Sequence, residues 1–184
     1  MSQDKEPDVE SHIWVRSDVM PDGSYRATIE FTPDESVTLN DEQAIKYAMA
    51  VLGAAHIAEY EAAILAQFKA AGVPEVAAAQ YIAEKFRTLR TVPDTGTQLS
   101  LVPGISKLTK DAFLIVMLHG KESGQWDFNE ARDHAQAVLD VIIAARLDQI
   151  YFLSLTKKME MDDDLARRMV GGIGKFRPSL TTDT

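Results

Sequence analysis

Residues 41–65, DEQAIKYAMAVLGAAHIAEYEAAIL, and residues 128–152, FNEARDHAQAVLDVIIAARLDQIYF, decide how this chain is organised. In the first stretch, positions spaced four, three, four, three are Ala44, Ala48, Val51, Ala55, Ala58, Ala62 and Leu65. That spacing gathers all seven on one face of an α-helix. Moving 87 residues along gives Ala131, Ala135, Val138, Ile142, Ala145, Gln149 and Phe152, a second face of the same kind. Four of the seven pairs are identical, and only Gln149 is polar.

The offset extends outward from the helices. It pairs Asn40 with Asp127, two side chains suited to cap a helix N-terminus, and Leu39 with Trp126 just before them. Upstream it pairs Phe31 with Leu118, Ile29 with Val116 and Val15 with Val102, with no gap required. In the first half, His12 to Arg16 and Tyr25 to Thr32 alternate as strands around a turn holding Pro21, Asp22 and Gly23. Pro33 to Ser36 breaks the second strand, and the long helix runs from Asn40 to Ala71. Gly72 is a left-handed cap, and Pro74 opens a second helix over Glu75 to about Leu89. Val92 to Gly96 then reads as a connector.

The second half follows the same order. Gln98 to Val102 reads as a strand, Pro103-Gly104 as a turn, Ala112 to His119 as a strand and Gly120 to Gly124 as a polar loop. A long helix begins near Phe128. The polar stretch Thr156 to Asp164 separates it from a last helix ending around Val170, before Gly171, Gly172 and Gly174. Lys85-Phe86-Arg87 and Lys175-Phe176-Arg177 match at an offset of 90, which places a three-residue insertion in the second helix–helix turn.

The expected fold is therefore α+β, an internal duplication of a β-β-α-α unit. Its copies span 12–93 and 97–178 and pack as one globular body, between a disordered acidic tail at 1–11 and a tail at 179–184. Chance alignment of two alanine-rich amphipathic helices is the competing explanation. A face of alanines has almost no side-chain height, so the two long helices are expected to approach closely and cross near their middles, with antiparallel hairpins behind them. The alternative use of that small face is a homodimer.

Composition limits the function classes. The 184 residues carry a formal net charge of −9, with a pI near 4.9. That balance disfavours direct nucleic-acid or anionic-membrane binding and admits a protein partner with a basic face. The absence of cysteine removes disulfides, thiolate metal sites and a cysteine nucleophile, and it fits a reducing cytoplasm. Met1 to Glu10 has no apolar segment of a signal peptide, and the longest apolar run, Ala112 to Leu118, is too short to span a bilayer.

No local motif carries chemistry. His12, His56, His119 and His134 are not spaced as metal ligands; His56 with Glu59 and Glu130 with His134 are isolated helical pairs. Asp162-Asp163-Asp164 lacks the alternation and glycine of a calcium loop and suits the start of a helix. Gly171-Gly172-Ile173-Gly174-Lys175 lacks the phosphate-loop pattern, because Met169 and Phe176 stand at two required positions. The remaining polar feature is Lys85 and Arg87, with Arg90 beside them, matched by Lys175 and Arg177. Symmetric copies would make these an anion clamp; cations at helix C-termini are the simpler account. No cofactor or metal is expected. The function that follows is a non-enzymatic interaction module acting on another protein as adaptor, regulator or inhibitor. The alternatives are an acidic nucleic-acid mimic and a small-molecule enzyme or binding protein with a pocket between the copies.

Overall fold

The structure, a computed structural model, describes residues 13–32, 35–88, 99–105 and 112–174. Three strands, β1 (Trp14–Val19), β2 (Tyr25–Thr32) and β3 (Glu35–Leu39), form an antiparallel sheet in that order. Helices α1 (Asp41–Ala70) and α2 (Glu75–Lys85) follow. The second half repeats the element types: β4 (Leu99–Ile105), β5 (Ala112–Leu118) and β6 (Lys121–Trp126) make a second antiparallel sheet in order. Then come α3 (Phe128–Leu153), a π-helical turn over Ser154–Lys158, and α4 (Asp163–Gly174). The class is α+β, with three strands in each half where the sequence suggested two.

Both additional strands lie in stretches without a strong apolar run. In β3 Val37 and Leu39 face inward, half-buried and buried. In β6 the outward positions are polar, and the turn joining it to β5 is His119 (φ 50°) and Gly120 (φ 75°). Two consecutive positive φ angles are what a two-residue hairpin needs to match strand twist. Strand β4 continues through Pro103 and Gly104, which were expected to form a turn. It is an edge strand, where proline removes no ladder hydrogen bond that the sheet needs. At Gly104 an added Cβ would stand 3.3 Å from the Phe113 ring, so the small residue is fitted to its neighbour.

Helix ends differ from expectation in two places. Helix α2 stops at Lys85 with Phe86 as its C-cap, short of Leu89. Helix α4 continues through Gly171 and Gly172 to Gly174, whereas the glycines were expected to end it. The long helices start where their caps predict. The Asn40 side chain accepts from Gln43 N at 2.9 Å and Gln43 returns the bond to Asn40 N at 3.1 Å. Asp127 accepts from Glu130 N at 2.9 Å and Glu130 accepts from Asp127 N at 2.6 Å. Each is a full capping box.

Strand registers modify the uniform offset. Ala27 faces Leu39 in one sheet and Leu114 faces Trp126 in the other, both consistent with 87. Val15, however, faces Ile29 while Leu101 faces Val116. In register, the β4 position that matches Val15 is thus Leu101, not the Val102 expected from the offset of 87. Burial follows the register, since Leu101 is buried and Val102 half-buried.

The seam residues Ala44, Ala48, Val51, Ala55 and Ala58 are buried, as are Ala131, Ala135, Val138, Ile142 and Ala145. Helices α1 and α3 pack on each other in antiparallel sense. Asp41 at the start of α1 bonds to Arg146 late in α3 at 2.6 Å, while Glu59 meets Arg132 early in α3. The small faces are therefore used within the chain. Each long helix also rests chiefly on the sheet of the other half: α3 on β1 and β2, α1 on β4 and β5. One apolar cluster consequently holds Ile29, Leu39 and Tyr47 together with Leu101, Leu114 and Val138. A smaller one holds Phe152, Leu155, Ala166 and Val170, joining α4 to the end of α3. Among the described residues, α1 is the one helix long and apolar enough by length and composition to cross a membrane. Its alanines raise its hydropathy, and one side of it is core.

Candidate functional site

The expected anion clamp is only partly described. Lys85 is exposed in the last turn of α2 with Nζ 3.3 Å from Glu84, and Arg87 is exposed just beyond. Lys175, Arg177 and Arg90 lie outside the described residues. Between Lys85 and Arg87, the half-buried Phe86 lies 5.9 Å from the ring of the exposed Tyr60. A cation in the last turn, as at Lys85, complements the helix dipole.

Of the two histidine–carboxylate pairs, Glu130 and His134 separate, while His56 and Glu59 stay in contact. Glu130 completes the α3 capping box. His134 instead turns into the core, where its Nε2 shares a 2.9 Å hydrogen bond with the Tyr47 hydroxyl. The Trp126 ring lies 5.0 Å from the imidazole. Burial holds the His134 pKa down to about 4, so the ring is neutral at physiological pH, and burial raises the Tyr47 phenol. His56 Nδ1 stands 3.7 Å from Glu59, whose other engagement is Arg132. That guanidinium lowers the Glu59 pKa first through its hydrogen bond. Asp162 accepts from the amides of Asp164 and Leu165 at 3.0 and 3.2 Å, so the acidic run opens α4. Among the described residues no group of three potential ligands could hold a metal ion.

A polar cluster that the sequence did not announce joins the β1–β2 hairpin to the end of α3. Ser17 Oγ donates to Asp148 Oδ2 at 3.2 Å, and Tyr25 N donates to Gln149 Oε1 at 3.0 Å. Tyr25 packs 6.2 Å from Phe152, and Arg167 on α4 lies over the same Phe152 ring at 5.7 Å. Burial, then the charge of Asp148, raises the Tyr25 phenol pKa. The polar break at Gln149 in an otherwise apolar seam was the available signal. A second signal is that Asp148 and Glu61 are 87 apart, and both are buried carboxylates at 7% and 0% exposure. The arrangement ties a hairpin to two helices.

An exposed apolar feature lies on the outside of the helix pair. On α3, Ile143, Leu147 and Ile150 stand on one face at 58%, 57% and 62% exposure. On α1, Ile45 and Met49 face the same way at 41% and 60%. The half-buried Leu52 and Leu139 lie between these residues and the core. The Asp41–Arg146 contact sets Ile45, one turn after Asp41, on the side of the pair that carries Ile143 and Ile150. From Ile143 to Leu153 the exposed positions of α3 carry one charge, Arg146, which is already paired with Asp41. The result is an apolar strip flanked by the Asp41–Arg146 and Glu59–Arg132 ion pairs. No family model, no curated protein and no solved structure matches this chain.

Proposed function

We propose that the protein is a non-enzymatic interaction module that binds another protein through the outer face of α1 and α3. The observation that carries this reading is the strip formed by Ile143, Leu147, Ile150, Ile45 and Met49. Contiguous apolar surface rimmed by ion pairs is the usual mark of an interaction site. The partner would lay an apolar helix or ridge along the strip. With a formal net charge of −9 on this chain, basic residues around that ridge would speed association in a salt-dependent way. A cytoplasmic setting suits the cysteine-free chain.

The scaffold is read here as a duplicated β-β-β-α-α unit. Its support is the repeated element order, the paired capping boxes, the matched register of β2–β3 and β5–β6, and the buried acids Glu61 and Asp148. Tyr47 and His134, which are 87 apart, bond to each other. Equivalent residues of a two-fold pair touch only on its axis, so the axis of such a duplication would pass between these two side chains.

The test replaces the outer residues. Ile143→Glu and Leu147→Glu should fold with stability changed by no more than about 0.5 kcal/mol, as solvent-facing positions allow. A photo-crosslinker at Ile150 should capture a partner in the wild-type background and lose it in either variant. Undiminished capture by both variants would contradict the reading, as would substrate turnover by the purified wild type.

A further inference from the structure

We infer that this fold can close between two molecules, with residues 14–85 of one copy seated on residues 99–174 of a second. The partner is another copy of this chain, and the surface is the one each half presents to the other. This inference does not depend on the outer strip.

The argument starts from what each half lacks when taken alone. Helix α1 belongs by sequence to the first sheet, yet it rests mainly on β4 and β5; α3 rests on β1 and β2. The ties that fix this exchange all join the two halves. They are Asp41 to Arg146, Glu59 to Arg132, Tyr47 to His134, Ser17 to Asp148 and Tyr25 to Gln149. The main apolar cluster likewise draws on both halves. Nothing in these contacts requires that the two halves share a backbone. Two chains that exchange halves remake every one of them twice. Domain exchange is inexpensive under those conditions, and concentration decides its extent.

The two ion pairs provide a test with full-length chains. One variant carries Asp41→Arg and Glu59→Arg; the other carries Arg132→Glu and Arg146→Glu. Closed on itself, each variant sets like charges against each other at both sites. Exchanged with its complement, every site regains opposite charges. Each variant alone should melt several degrees below the wild type. Unfolded together and refolded at high concentration, they should give a species of twice the 20.3 kDa chain mass containing one of each, melting close to the wild type. Should either variant fail to fold alone, its rescue by the complement is the same result in stronger form. The inference is overturned if the mixture holds only the separate variants. It is also overturned if a mixed complex dissociates in about 0.5 M salt without gain in melting temperature, because that is simple charge attraction. Adding Leu147→Glu to both chains decides between surfaces: an exchanged dimer persists, and one formed through the outer strip is lost.

Discussion

His134 is buried between Tyr47 and Trp126, where a charged ring would lose most of its hydration. Burial depresses its pKa from 6.5 to about 4. In the unfolded chain the ring titrates near its ordinary value, so between those two pH values the unfolded state holds more protons. Stability is therefore intact above about pH 6.5 and falls as the pH drops toward 4, by an amount on the order of 2–3 kcal/mol. Urea denaturation at pH 7, 5.5 and 4.5, compared with His134→Gln, measures it; parallel pH curves for the two proteins would contradict the assignment. The alanines make a second residue-scale prediction. Ala48 and Ala55 are fully buried at 0% exposure, so Ala48→Leu or Ala55→Leu should destabilise by about 1–3 kcal/mol through overpacking. An unchanged melt would mean that the helices have room to part. The seam was legible because its spacing is local. The hydrogen bond from Tyr25 to Gln149 was not, because 124 residues separate donor and acceptor and only the tertiary fold brings them together.

Helix α4 is attached apart from the main core. Its buried residues are Ala166 and Val170, which join Phe152 and Leu155 in a cluster separate from the main core. Arg167 adds its stacking on Phe152 and leaves its own Nε buried without a partner. Phe152→Ala should remove about 3 kcal/mol from this cluster. The loss should appear as local opening: amides of residues 163–174 should exchange faster while those of α1 keep their protection. Equal acceleration in both helices would show instead that the small cluster is continuous with the main core. Element starts were well marked in the sequence where a capping side chain specifies them, as at Asn40 and Asp127. The third strand of each sheet was missed for a physical reason. Lys121-Glu122-Ser123-Gly124-Gln125 has almost no apolar content, and it is held by pairing with β5 and by the left-handed pair His119 and Gly120. Pro103 misled in the opposite direction, since a proline on an edge strand costs no ladder bond.

At the scale of the whole molecule, the crossing of helices onto opposite sheets couples the halves. Thermal unfolding followed by circular dichroism and by Trp14 and Trp126 fluorescence should give one coincident transition, because each half carries one of these reporters. Two resolved transitions would show that the shared core contributes little. The order of elements was largely readable from the chain, and the crossing was not: a periodic face states that a helix has a packing side but does not name the sheet it meets. The crossing also bears on how the protein is made. Synthesis is directional, and α1 is complete well before β4, β5 and α3 exist. At about 5–20 residues per second, the helix waits several seconds for the strands and helix that cover its seam. During that interval a nascent chain has sheet β1–β2–β3 beside a helix that rests mainly elsewhere in the finished fold. Ribosome-bound chains ending before residue 153 would thus be the ones that need a chaperone, or a neighbouring chain on the same message.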